Sequence, residues 1–176
     1  MGPHRRLTLL RHGKAHPAVD GEDHLRALTK RGERQAEEVG RRLRARGWIP
    51  DRILASPAAR TWATAEIVAR ACGLGAHAVH RADALYGADP ETIWRVATGG
   101  ARDARHVLVC GHNPGLSDLA GRFGPRPGAR RLSTGAFASA LWDPGGWDEI
   151  DPEDAVRCDC EEPEDDAADP PSRVHD

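Results

Sequence analysis

Leu7-Thr8-Leu9-Leu10-Arg11-His12-Gly13 is the stretch from which the rest of the chain can be ordered. Its first four residues form a short apolar run suited to a buried strand, and the run stops at a charged pair followed by glycine. Glycine at such a stop permits a tight turn and close approach of backbone. The arginine presents a planar fork of donors that matches phosphate oxygens. The histidine presents a ring nitrogen that is nucleophilic at neutral pH. A strand that ends this way belongs in an α/β sheet, where ligands gather beyond the carboxyl ends of the strands.

Moving outward, apolar runs alternate with helical patterns, which predicts a three-layer, doubly wound, mostly parallel sheet with helices on both faces. Thr29 can cap a helix whose inward positions are Ala36, Val39, Gly40 and Leu43, and Gly47 ends it. Ile53-Leu54-Ala55 reads as a second strand, and Ser56-Pro57 as a cap and first turn opening the next helix. Asp89-Pro90 repeats that opening, and His106-Val107-Leu108-Val109-Cys110 suits a central strand covered on both faces. Asn113-Pro114 is read as the cap of another helix, and Ala136–Trp142 as the last strand.

Three strand-to-helix junctions therefore carry the same kind of residue: Arg11-His12-Gly13, Ser56-Pro57-Ala58-Ala59-Arg60, and Gly111-His112-Asn113. Two histidines and two arginines brought to one crevice suit transfer of a phosphoryl group through histidine. These motifs resemble those of the histidine phosphatase, or phosphoglycerate mutase-like, superfamily. Asp23-x-x-Arg26-Ala27-Leu28-Thr29-x-x-Gly32 is similar to a segment of its SixA-type phosphohistidine phosphatases, and Leu85-Tyr86 and Ser133-Thr134-Gly135 add to the likeness over residues 5 to 142. The resemblance implies that His12 is phosphorylated and that Arg11, Arg60 and His112 hold the phosphoryl oxygens. Gly13, Lys14, Arg26 and Asn113 are expected to line the substrate site, with neither metal nor cofactor required. The implied partner is a phosphorylated protein, bearing phosphohistidine, or a small phosphorylated metabolite. The alternatives are a phosphomonoesterase of the same superfamily and a non-catalytic phosphoryl-binding module.

One departure discriminates among these. Mutases and broad phosphatases of the superfamily carry a glutamate in the segment that here reads Leu85-Tyr86-Gly87-Ala88-Asp89. Asp89 is the available substitute for that proton donor, yet a carboxylate before Pro90 is also what a helix cap requires. An alkoxide leaving group needs general-acid help worth about 10²–10⁴-fold, whereas imidazole leaves without it. The missing acid therefore favours phosphohistidine or another activated phosphate.

Composition excludes other classes. The chain is 39% hydrophobic, without a run near the roughly 20 apolar residues a membrane-spanning helix needs. No secretory pattern follows the basic N-terminus, so a cytoplasmic location is expected. Scattered basic residues without aromatic interleaving argue against nucleic acid. Charge divides the chain: residues 1–143 hold 23 basic against 14 acidic side chains, while residues 144–176 hold 2 against 13. The expected organisation is thus a domain over 1–143 and a disordered acidic tail over 144–176. Cys72 and Cys110 read as buried thiols, and Cys158 and Cys160 as an incidental pair in that tail. His106 reads as an ordinary surface or strand-end residue, and Asp23 and Arg26 as a pair that orders their loop.

Overall fold

The computed structural model describes residues 2–125, 128 and 130–164. Its sheet contains β1 (Arg5–Arg11), β2 (Arg52–Ala55), β3 (Val79–Arg81), β4 (His106–Gly111), β5 (Phe137–Trp142) and β6 (Arg157–Glu161). Their spatial order is β3-β2-β4-β1-β5-β6. The first four strands are mutually parallel, β5 runs antiparallel to β1, and β6 antiparallel to β5. The connecting helices are α1 (Lys30–Ala45), α2 (Ala59–Ala71), α3 (Pro90–Ala101) and α4 (Gly115–Ala120).

The period of two along β1 sends Leu7 and Leu9 to one face and Leu10 to the other. Leu10, Ile53, Leu108 and Phe137 pack beneath Val39 and Leu43 of α1 and Val68 of α2. Leu7, Leu9, Val107 and Val109 pack beneath Ile93 and Ala97 of α3 and Leu116 and Leu119 of α4. Every residue of β4 is buried, as its unbroken apolar run predicts. The α/β reading with helices on both faces holds.

Two local readings change. Thr29 and Asp89 do cap α1 and α3, accepting from Gly32 N and Thr92 N. Ser56 does not cap α2, which starts three residues later at Ala59. Asn113 does not cap α4 either: its peptide bond to Pro114 is cis, and the helix begins at Gly115 with no side-chain cap. Both side chains are engaged in tertiary bonds instead. No helix among the described residues is long and apolar enough to cross a membrane.

The expected boundary at residue 143 also gives way. Trp147 is 7% exposed within the core, and its indole N–H donates to Ala104 O at 2.8 Å. Ala155 is buried in the same cluster, and β6 completes one edge of the sheet by pairing with β5. The acidic composition that reads as a solvated tail is the complement of a basic helix: Glu161 pairs with Arg42 of α1 and with Arg46 just past its end, and Arg42 also donates to Glu162 O. Partners about 120 residues away in sequence are invisible to local composition. Residues 165–176, the remainder of the expected tail, lie outside the described residues. Trp147→Ala should cost about 3–5 kcal/mol, the usual range for removing a buried tryptophan. Urea unfolding of the full chain measures this, and a loss under 1 kcal/mol would mean the segment docks without supporting the core.

His106 departs furthest from its expected role. It is 6% exposed, and its Nε2 lies 2.8 Å from Thr8 Oγ1. Thr8 Oγ1 is 2.9 Å from Ser139 Oγ, which accepts from Arg6. A neutral ring satisfies the chain, with Thr8 O–H donating to Nε2 and Ser139 O–H to Thr8. Burial, reinforced by the Arg6 charge, lowers the His106 pKa to about 3. Its unfolded value is about 6.5, so between these limits the unfolded chain binds a proton that the folded one does not. Stability from this group is complete above pH 6.5 and falls as pH drops, by about 1.4 kcal/mol per pH unit. Denaturant titrations between pH 6.5 and 4.5 should show this slope diminished by that amount in His106→Gln; an unchanged slope would assign acid sensitivity to other groups.

Candidate active site

The carboxyl ends of β1, β2 and β4 bring the three motifs together. Arg11 and Gly111 are register partners at the ends of β1 and β4, and His12 N donates to Gly111 O. Gly13 is needed for packing: a Cβ there would meet Gly32 O at 2.5 Å, and one at Gly32 would collide with Lys14 O. The two glycines let the signature loop lie flat on the first turn of α1. Gln35 Oε1 accepts from Lys14 N at 2.9 Å, and Thr64 Oγ1 accepts from Gly13 N at 3.1 Å, so both flanking helices hold the loop.

His12 is 6% exposed, with Nδ1 2.7 Å from Gly13 O. A carbonyl can only accept, so Nδ1 carries the proton and the Nε2 lone pair points inward. Arg60, from the first turn of α2, donates Nε to His12 Nε2 and Nη2 to His112 Nδ1, each at 3.3 Å. With Nδ1 accepting, His112 Nε2–H donates to Ser56 Oγ at 2.8 Å. The two imidazole rings lie 5.5 Å apart at an interplanar angle of 61°. Burial, with the arginine charges adding to it, lowers both histidines to about pH 4. Each is therefore neutral at pH 7.

Arg11 donates Nη1 to Leu132 O at 3.1 Å, while its Nε is buried without a partner. Asn113 donates to the same carbonyl at 2.7 Å and accepts from Ser117 Oγ, so it positions the Leu132 turn against Arg11. Lys14 stands on the loop with an exposed side chain. Arg26 Nε donates to His16 O at 2.7 Å, and its Nη1 to Asp23 Oδ1 at 3.1 Å, the loop-ordering pair expected from sequence.

Asp23 and Tyr86 have larger roles than the sequence reading assigned. Asp23 Oδ2 accepts from Arg60 Nη2 at 2.9 Å and from Tyr86 O–H at 2.7 Å, and Asp23 O accepts from Arg60 Nη1 at 2.8 Å. The Tyr86 ring meets His112 edge-on at 5.5 Å. The hydrogen bond from Tyr86, joined by those from Arg26 and Arg60, holds the Asp23 carboxyl ionised well below the usual carboxylate range. Asp89 Oδ1 accepts from Thr92 N at 2.7 Å at the start of α3, and bonds from Thr92 lower its pKa. The cap, not a proton donor, is the role its contacts describe. Tyr86 was legible only as part of the Leu85-Tyr86 motif, since its partner Asp23 is 63 residues away. Among the described residues no group of three or more His, Cys, Asp or Glu side chains forms a metal-binding cluster.

The sequence model of the histidine phosphatase superfamily (branch 1) matches residues 7–87. A chloroplastic protein of Arabidopsis thaliana, itself uncharacterised, is 31% identical over 164 residues, covering 81% of this chain and 74% of its own. Among solved structures, the proposed phosphohistidine phosphatase SixA of Nakamurella multipartitia superposes with a TM-score of 0.75 at 30% identity, covering 93% of this chain and 98% of that one. The chain belongs to the histidine phosphatase superfamily. A second superfamily structure, the proposed SixA of Agrobacterium tumefaciens, gives a TM-score of 0.66 at 28% identity, covering 80% of this chain and 99% of that one. An uncharacterised protein of Picosynechococcus is 39% identical over 121 residues, covering 65% of this chain and 70% of its own. The superfamily's phosphatase chemistry frames the arginine-flanked histidine pair.

Proposed function

We propose that this chain is a metal-independent phosphatase acting on phosphohistidine through a phospho-His12 intermediate. The observation that carries the reading is the tautomer of His12, whose Nδ1–H is tied to Gly13 O while Nε2 faces Arg60. In the first step Nε2 forms a bond to phosphorus as the bond from phosphorus to the leaving nitrogen breaks. Arg11, Arg60 and His112 surround the transferred group, and guanidinium donors neutralise the charge spread over its oxygens. Attack of water on phosphorus then frees His12. The preference for an imidazole leaving group follows from Asp23, a carboxylate bonded to Arg60 but held ionised by Tyr86, Arg26 and Arg60, and so without a proton to give.

The test is turnover of a phosphohistidine peptide beside a panel of phosphomonoesters, each with and without excess chelator. The peptide should be hydrolysed with kcat/KM at least about 10²-fold above the alkyl esters, the low end of what a missing general acid costs them. Chelator should change nothing. Because His12 stays neutral down to about pH 4, the acid limb of kcat/KM attributable to it should fall near that value, not near 6.5. Equal turnover of alkyl esters and peptide would sink the phosphohistidine assignment.

A further inference from the structure

We infer that the cavity beside the histidine pair, on the outer side of Arg11, binds a second anionic group of the substrate, with Arg131 as its principal cation. This rests on the phosphatase reading above and specifies the substrate class of the same site. The cavity has a volume of about 600 Å³ and is walled by Arg11, Asn113, Ser117, Arg122, Arg130 and Arg131. His12, Arg60 and His112 are not in its wall, so it adjoins the phosphoryl centre and shares only Arg11 with it. A space of several hundred Å³ is the size of a ligand site, far more than one phosphoryl group fills.

The charges of the wall are unequally balanced. Arg122 is neutralised by Glu91 and Glu153, and Arg130 Nη1 lies 3.1 Å from Cys160 Sγ. Asp118 adds one exposed carboxylate to the lining. Neither Arg11 nor Arg131 has an ion-pair partner within bonding distance among the described residues. Arg11 has a carbonyl acceptor for Nη1 and none for its buried Nε. After burial, Arg131 is the strongest influence depressing the Arg11 pKa, which places two like charges in mutual repulsion. Glu162, held by Ser133, favours the Arg11 charge without pairing with it. Like charges held together without an intervening carboxylate disfavour the ligand-free protein and attract an anion between them. The transferred phosphoryl group meets Arg11 from the histidine side. The outer side, facing Arg131, is left for a second negative group on the same substrate.

That group is a phosphate or a carboxylate, borne by a small metabolite or by acidic residues flanking the phosphorylated histidine of a protein. Calorimetry on the full chain with bisphosphonates bridged by one to four methylenes, against inorganic phosphate, tests the site without turnover. The best-fitting bisphosphonate should bind wild type about tenfold more tightly than phosphate, a difference of about 1.4 kcal/mol. Arg131→Ala should abolish that preference and Arg131→Lys should retain part of it, since a point charge keeps the attraction without the fork. The same preference in wild type and Arg131→Ala overturns the proposal.

Kinetics separate the sources. With phosphohistidine peptides carrying either aspartate or neutral flanks, Arg131→Ala should raise KM about fivefold for the acidic peptide alone and leave kcat unchanged if the anion comes from a protein. If it comes from a metabolite, the Arg131 dependence appears with the bisphosphonates and not with the peptides. Turnover of no phosphorylated substrate, with the bisphosphonate preference intact, would overturn the phosphatase reading and leave the anion subsite standing. Normal turnover with no Arg131 dependence in any assay would do the reverse.

Discussion

His12→Ala is expected to abolish turnover, with a loss of about 10⁵–10⁶-fold in kcat, the scale at which removal of a nucleophile acts. The fold should survive. His12 bonds to Gly13 O and Arg60, and β1, whose Leu7, Leu9 and Leu10 are fully buried, ends before it. Truncation at Cβ leaves space that water can enter from the crevice. Two measurements separate chemistry from collapse. Far-ultraviolet circular dichroism and the urea midpoint should stay near wild type, while rapid quench without acid should trap a labelled phosphoenzyme only in wild type. A labelled protein of equal yield in His12→Ala would place the covalent bond on another residue. His112 is the obvious competitor, since its ring lies 5.5 Å away and is equally neutral. Its nitrogens are occupied differently, however: Nε2 donates to Ser56 and Nδ1 faces Arg60. His12 presents Nε2 and His112 presents Nδ1, each 3.3 Å from Arg60, so the same quench on His112→Ala, which should still yield labelled protein, completes the assignment.

Arg60→Ala should reduce kcat by about 10³-fold, the upper part of the range for losing one preorganised donor to developing charge. Arg60 is 5% exposed and links four groups: His12, His112, the Asp23 carboxylate and the Asp23 carbonyl. Its removal therefore takes the proposed phosphoryl ligand and also loosens the loop that carries Asp23. Asp23→Asn separates the two effects. It keeps the guanidinium at the site but weakens an ion pair whose Asp23 side is half open to solvent, so kcat should fall by less than about tenfold. Equal losses in both variants would mean that Arg60 acts chiefly through Asp23. Arg11→Lys should also remain slow, because lysine keeps the charge but not the planar fork. Full activity there would show that the Arg11 geometry is unimportant.

Four of the six strands, β1, β2, β4 and β5, were legible because their signals are local, whereas the three-residue β3 and the acidic β6 carry no apolar run and were not read as strands. Leu7–Leu10 and His106–Cys110 are apolar runs whose burial follows from composition alone, and Thr29 and Asp89 cap helices through bonds to residues three positions on. The motif residues stood out as well, since Arg11 ends β1, His12 and His112 directly follow β1 and β4, Arg60 opens the helix after β2, and the carboxyl ends of parallel strands face one crevice. Ser56 and Asn113 misled for the same reason: each has the chemistry of a cap, and a sequence cannot say that His112 and Leu132 are better partners.

Sequence by itself thus determined the α/β class and which motif residues the parallel strands carry to their carboxyl ends. Tertiary structure decided what holds those residues in their working states. The tie of Tyr86 to Asp23 spans 63 residues, the docking of Glu161 on Arg42 spans 119, and His106 is kept neutral by burial while Thr8 and Ser139 supply its hydrogen-bond chain. Such bonds depend on which surfaces the packed sheet brings face to face. Local periodicity records only whether a residue turns inward, and the energy of a buried polar or charged group is set by the partner it finds there.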